Sequence, residues 1–177
     1  ECKDANFIFV SQVAFNSGVM LKDLNEMVMN MPEDAIKVID GYHGFMAVPT
    51  DLSKIEDRVF YLAGGYKYAQ AGEGGCFVAV PPNCTLRPLY TGWFARFDDL
   101  GSDQSDQIEY SQDGMRFAGS TMDYSAIYRM LAVFKEFEKQ QLSSSKIHDH
   151  VTQVQAHFLK HLDQLDHPLI NRNNLLF

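Results

Sequence analysis

Short apolar runs alternate with an amphipathic segment over the first 80 residues, and this alternation constrains the fold more than any other feature. The runs cover 7–10, 35–39, 58–63 and 76–80, and apolar residues at helical spacing fill 21–31 between the first two. Strands that alternate with helices are typical of βαβ units. The sequence therefore predicts an α/β fold with a mostly parallel sheet. The continuous apolar character of the first run further predicts a strand buried on both faces.

The stretch 98–113 separates this part from a helical one. Six acidic residues share it with Ser, Gln and Gly, which is typical of an exposed loop. Beyond it, apolar residues recur every three or four positions over 127–137 and over 147–165, which predicts two amphipathic helices. The three serines at 143–145 offer an N-cap for the second helix.

Charge and cysteine content argue against several classes of protein. The formal net charge is −8, whereas nucleic-acid binders cluster Lys and Arg. No apolar run approaches the roughly 18 residues that a membrane span needs. Three cysteines, at positions 2, 76 and 84, form neither a disulfide framework nor a CxxC metal pair, which favours a reducing, cytoplasmic location. Histidines on the last predicted helix lack the Glu of the zinc motif HExxH, so we expect no metal site.

The block from 40 to 75 contains the residues best suited to chemistry. Asp40 ends a predicted strand and His43 follows it in a turn, and open α/β sheets bind ligands at the carboxyl ends of strands. Lys67 lies in a glycine-rich segment after the next strand, between two tyrosines. A confined lysine amine can act as a nucleophile, and glycines let the backbone approach a bulky ligand. Taken singly, these residues would suggest a turn aspartate, a loop histidine and a surface lysine.

Five motifs in chain order resemble the class V aminotransferase family, a group of fold-type I pyridoxal-phosphate enzymes that includes kynureninases and cysteine desulfurases. The motifs cover 38–52, 65–68, 72–75, 87–93 and 116–120. The resemblance extends from about residue 9 to the last predicted helix. It implies that 1–105 is the second half of the cofactor-binding large domain, with a mostly parallel sheet. It implies for 106–177 a linker and helices that begin the small C-terminal domain.

The resemblance implies a role for three residues around the cofactor ring. Lys67 would form a Schiff base with pyridoxal 5′-phosphate and later move protons at the substrate α-carbon. Asp40 would pair with the pyridinium nitrogen, so that the ring acts as an electron sink. His43 would lie near the phenolic oxygen of the ring.

The same resemblance implies roles for four further residues, and the residue types at two of these positions favour kynureninases over cysteine desulfurases. Tyr66 would bind the phosphate, as the residue before the lysine does in kynureninases, where cysteine desulfurases usually carry His. Phe15 stands where the desulfurases tend to have Asn. Trp93 would lie near the cofactor or a substrate pocket, across the interface of an expected homodimer. Ser120 keeps the hydroxyl of the Thr that is common in its motif.

The family pattern also predicts parts of the enzyme that these 177 residues do not contain. In this family a phosphate-binding loop precedes the aspartate motif, and an arginine that holds the substrate carboxylate comes late in the small domain. We therefore expect an internal fragment of an enzyme that acts on an amino acid, inactive by itself.

The residues leave the reaction and even the class of protein open. Transamination and kynureninase-like hydrolytic C–C cleavage use the same residues. A truncated, non-catalytic dimerising module is the alternative from another class. A Rossmann-type nucleotide binder is disfavoured because no Gly-x-Gly-x-x-Gly follows a strand.

Overall fold

The computed structural model describes residues 4–102 and 107–161, and its first part is a four-stranded sheet. Strands β1 (Phe7–Ser11), β2 (Ile36–Asp40), β3 (Phe60–Gly64) and β4 (Cys76–Ala79) lie in that order across it. β1, β2 and β3 are parallel, and β4 is antiparallel to β3. The predicted α/β fold with a mostly parallel sheet is confirmed. β4 runs antiparallel because the loop over 65–75 is shorter than the dozen or so residues that a parallel crossover needs.

The core lies between the sheet and helix α1 (Leu24–Met29). The Asp23 carboxylate accepts a hydrogen bond of 2.8 Å from the backbone N–H of Glu26, which fixes the start of the helix. Asn30 is its C-cap. The helix predicted over 21–31 is therefore shorter at both ends. The buried cluster comprises Leu24, Val28, Ile39, Ile55, Val59, Tyr61 and Ala63.

β1 is a strand as predicted, but the expected burial on both faces is wrong. Phe7 is 57% exposed and Phe9 is 54% exposed, whereas Val10 packs against the core cluster. Successive side chains of a strand point to opposite faces, so the two phenylalanines share the outer face. Within the described residues β1 pairs with β2 alone, and the core cluster covers one face of it.

Helix α2 (Ser125–Lys139) confirms the first helix predicted after the acidic loop. Ala126 and Met130 are buried, and the ring of Phe134 lies 6.1 Å from that of Phe45. These contacts join α2 to the segments that follow β2 and β3, so a helix distant in sequence packs beside the candidate residues.

Helix α3 (Ser144–His161) confirms the second one. The Ser143 hydroxyl accepts from the N–H of Lys146 at 3.2 Å, as an N-cap does. Within the predicted apolar stripe of α3, Ile147 is half-buried, and Val151, Val154 and Phe158 are exposed. The last two positions of the stripe, 162 and 165, lie outside the described residues. No helix in the described ranges is long and apolar enough to cross a lipid bilayer.

Two short 3₁₀ helices, Trp93–Asp99 and Gly114–Phe117, flank the acidic loop. The described residues of the loop are mostly exposed, as predicted, although the Arg96 guanidinium pairs with Asp99 and, at 2.8 Å, with Glu109. Arg116 is buried and donates to backbone carbonyls, among them that of Ser111 at 3.0 Å. The predicted domain boundary at residue 105 lies outside the described residues.

Candidate functional site

The carboxyl ends of the parallel strands meet at one edge of the sheet, and Asp40 lies there. Asp40 pairs in register with Ser11 of β1 and with Leu62 of β3. The Ser11 hydroxyl donates to Asp40 Oδ2 at 3.2 Å, and the backbone N–H of Tyr42 donates to Oδ1 at 3.0 Å. Both donors are neutral, and no ion pair reaches Asp40 from the described residues. The carboxylate therefore keeps an uncompensated charge that can attract a cation.

The turn after Asp40 brings His43 into contact with Lys67. The lysine Nζ lies 2.5 Å from Nε2 of the imidazole and 3.3 Å from Nδ1, so the shorter contact is the hydrogen bond. Phe15, itself 80% exposed, places its ring 5.4 Å from the imidazole. The Tyr66 ring centroid lies 5.5 Å from Nζ, within cation–π distance. The structure thus gathers Phe15, His43, Tyr66 and Lys67 beside the strand end of Asp40.

Backbone hydrogen bonds close the glycine-rich segment that carries Lys67 into a compact loop. The N–H of Gly65 donates to the carbonyl of Gly75 at 2.7 Å, and the N–H of Ala71 donates to the carbonyl of Gly65 at 2.6 Å. Gly72 and Gly74 have φ angles of +73° and +91°, which favour glycine. The glycines therefore serve the closure of this loop.

Helix α2 holds the same loop from outside. Arg129 donates from Nε to the carbonyl of Ala71 at 2.9 Å and from its terminal nitrogen to the carbonyl of Glu73. A Cβ on Gly65 would lie 3.0 Å from the sulfur of Met130, so glycine permits the close approach of the helix. Sequence reasoning missed Arg129 because it lies outside the five motifs.

A buried amide and a buried phenol support the turn that carries His43. A Cβ on Gly41 would lie 2.1 Å from Cζ of Tyr61, and one on Gly44 would lie 2.2 Å from Oε1 of Gln12. Gln12 is 3% exposed and accepts from the Tyr61 hydroxyl at 3.0 Å. Burial, and then the charge of Asp40, raise the pKa of Tyr61 to about 12, so the phenol stays a donor. Sequence reasoning missed this pair, although the glycines on either side of His43 indicate a close approach.

The other two predicted residues, Trp93 and Ser120, lie in a separate cluster. Trp93 is half-exposed, with its ring 4.5 Å from that of Phe94. A Cβ on Gly92 would lie 2.0 Å from the carbonyl oxygen of Gly119 and 3.7 Å from Cβ of Ser120, so the segments that carry the two residues pack together. No contact in the described part of the chain joins either residue to Lys67.

Within residues 4–102 and 107–161, no cluster of three or more His, Cys, Asp or Glu side chains is arranged to hold a metal ion.

Comparison with known proteins shows what the chain resembles in structure. No family model matches the sequence, and no curated protein matches it. The apo structure of a cysteine desulfurase from Thermococcus onnurineus NA1 matches with a TM-score of 0.76 and 19% sequence identity. The match covers 98% of this chain and 42% of that chain, so the chain spans less than half of its neighbour. The likeness confirms the predicted fold-type I architecture, because cysteine desulfurases have that fold.

Proposed function

We propose that the chain carries part of the active site of a pyridoxal-phosphate-dependent, class V aminotransferase-like enzyme that acts on an amino acid. The observation that carries this proposal is the contact between Lys67 and His43 at the strand end of Asp40. The other three sequence motifs also support the proposal, as does the fold shared with a cysteine desulfurase. Lys67 is the residue proposed to bond the cofactor.

The side chains at this edge fit the chemical groups of pyridoxal 5′-phosphate. The Asp40 carboxylate accepts only from neutral donors, so it can pair with a protonated pyridine nitrogen. The Lys67 amine can bond the aldehyde carbon. Tyr66 is 38% exposed, and its hydroxyl is proposed to bind the phosphate. When bound, the cofactor supplies an electron sink for the substrate carbon that loses a bond.

His43 is proposed to handle the proton of the Lys67 amine. An amine attacks a carbonyl only after it loses a proton, and an imidazole within hydrogen-bond reach can accept that proton. The 2.5 Å between Nζ and Nε2 meets this requirement. The Phe15 ring contacts the imidazole, with the two ring centroids 5.4 Å apart.

Two residues favour a kynureninase-like C–C hydrolase as the more specific alternative. Tyr66 precedes the lysine where desulfurases usually carry His, and Phe15 replaces their usual Asn. Both contact the pair formed by His43 and Lys67. Transamination needs the same catalytic groups, so the aminotransferase-like assignment extrapolates least.

We also propose a homodimer, with a second copy covering the surface near Trp93. Leu89 and Tyr90 are 94% and 95% exposed close to it in sequence, and such apolar exposure is typical of an interface. A non-catalytic dimerising module is the alternative of another class, which the exposed Phe7 and Phe9 of β1 favour. That alternative predicts no cofactor at Lys67.

An absorbance titration with pyridoxal 5′-phosphate tests the proposed function. It uses the longest natural polypeptide that contains these residues. We expect a visible imine band that saturates at one cofactor per chain. Lys67→Ala should abolish the band, because surface lysines bind the aldehyde only weakly and without saturation. Lys54→Ala, at an exposed lysine outside the site, should keep it. Equal titrations of the Lys67→Ala and wild-type proteins would contradict the proposal.

A further inference from the structure

We propose that Gln12 and Tyr61 are positioning residues that hold His43 against Lys67. A catalytic role for this positioning rests on the proposed function. The positioning itself is inferred from the described contacts alone. Neither residue belongs to the five motifs, and neither touches Lys67.

Gln12 lies buried at the centre of a hydrogen-bonded network. Its Oε1 accepts from the Tyr61 hydroxyl at 3.0 Å, and its Nε2 donates to the Thr50 hydroxyl at 2.7 Å. The Thr50 hydroxyl in turn donates to the carbonyl of Val48 at 3.0 Å. The backbone N–H of Gln12 also donates to the carbonyl of Asp40 at 2.8 Å. Gln12 thus bonds through its backbone to the end of β2, and through its side chain to β3 and to the segment after the turn.

The turn that carries His43 lies directly on this network. The backbone N–H groups of Gly44 and Phe45 both donate to the carbonyl of Gly41, at 2.9 and 2.7 Å. The Tyr61 ring fills the space of a Cβ at Gly41, and the Gln12 amide fills that at Gly44. His43 is therefore attached to the backbone between two points that buried side chains fix.

A contact of 2.5 Å needs such support. A displacement of the imidazole by a few tenths of an ångström would change the hydrogen bond between His43 and Lys67. Buried and fully bonded networks are rigid, and loss of one member leaves a polar atom unsatisfied. Removal of the Tyr61 hydroxyl would leave Gln12 Oε1 without its donor and would let the turn shift.

Trace labelling of lysines with acetic anhydride tests this inference without any cofactor. Mass spectrometry of peptides gives the labelling rate of Lys67 relative to the exposed Lys54 in the same sample. We expect Tyr61→Phe to raise that ratio about fivefold. This factor corresponds to loss of the hydrogen bond between Lys67 and His43 at ordinary net strength, which frees the lysine amine. Thr50→Val removes the other side-chain bond of the Gln12 amide. It should raise the ratio in the same way if Tyr61→Phe does not fold.

A matched variant and a double-mutant cycle separate positioning from general loosening. Tyr110→Phe also deletes a tyrosine hydrogen bond, a 2.6 Å bond to the carbonyl of Pro88, and should leave the ratio unchanged. His43→Ala should raise the ratio, and adding Tyr61→Phe to it should cause no further rise. An equal effect of Tyr61→Phe and Tyr110→Phe, or a full Tyr61→Phe effect in the His43→Ala background, would overturn the inference.

Failure of the proposed function would give a different result. If the wild-type protein bound no cofactor at Lys67 while the labelling cycle gave the expected coupling, the proposed enzyme would be wrong and the positioning would stand. If the cofactor bound but the cycle showed no coupling, the inference alone would fail.

Discussion

At the scale of single residues, Tyr61 couples the site to the stability of the fold. Burial, followed by the charge of Asp40, raises the pKa of Tyr61 to about 12. An unfolded chain releases a tyrosine proton near pH 10. Between these values the folded chain binds more protons than the unfolded one. The stabilisation from this residue is therefore complete below pH 10 and is lost as the pH rises towards 12.

Tyr61→Phe should remove this dependence on pH. The free energy of unfolding of the wild-type protein should fall between pH 10 and 12, with about 2 kcal/mol of the fall due to Tyr61. In the variant that fall should be smaller by the same amount. Urea denaturation at a series of alkaline pH values measures both curves. Parallel curves for the two proteins would show that Tyr61 does not titrate in this way.

Sequence reasoning singled out the residues that are proposed to carry chemistry at this edge, but not those that are proposed to support them. Asp40, His43 and Lys67 have reactive side chains at strand ends and turns, where sequence patterns are informative. Gln12 and Tyr61 pack closely against two glycines of the turn, and this contact depends on the register of three strands. A sequence contains the glycines but not the atoms that approach them.

At the scale of secondary-structure elements, α2 stabilises the loop that carries Lys67. Arg129 bonds the carbonyls of Ala71 and Glu73, and the buried Ala126 and Met130 pack beside the glycines of the loop. The helix starts about 60 positions after Lys67. The loop therefore depends on a long-range contact for its conformation.

Arg129→Met should loosen the loop without unfolding the protein. Loss of these hydrogen bonds should cost about 1 kcal/mol locally, because the side chain is partly solvated. Amide hydrogen exchange over 66–75 should become about fivefold faster, measured by mass spectrometry. Lys139→Met removes a cation of α2 that forms only a surface ion pair with Glu136 and should leave that exchange unchanged. Equal exchange in the two variants would contradict this role of α2.

The patterns predicted the type of each element better than its bounds or its burial. The four strands and three α-helices of the described residues were all predicted, because periodicity and capping are local properties, whereas the two short 3₁₀ helices were not. Helix α1 is shorter than its apolar pattern, since the Asp23 cap fixes its start. The predicted burial of β1 on both faces was wrong. Burial depends on what covers each face of the strand, which apolar character alone does not determine.

At the scale of the whole molecule, the comparison shows the fold, whereas the function is proposed from particular residues. The chain shares the fold of a cysteine desulfurase at only 19% identity and over 42% of the length of that protein. That proposal rests on residues of the motifs at 38–52 and 65–68, which lie at the sheet edge. The fold positions Asp40 and Lys67 at neighbouring strand ends, and the residues supply the chemistry proposed for it.

One measurement tests the central claim most directly. Borohydride reduction after incubation with pyridoxal 5′-phosphate fixes an imine as a stable amine, and peptide mass spectrometry then locates the added mass. The account predicts one cofactor per chain, attached at Lys67. Labelling spread over exposed lysines such as Lys54, with no preference for Lys67, would contradict it.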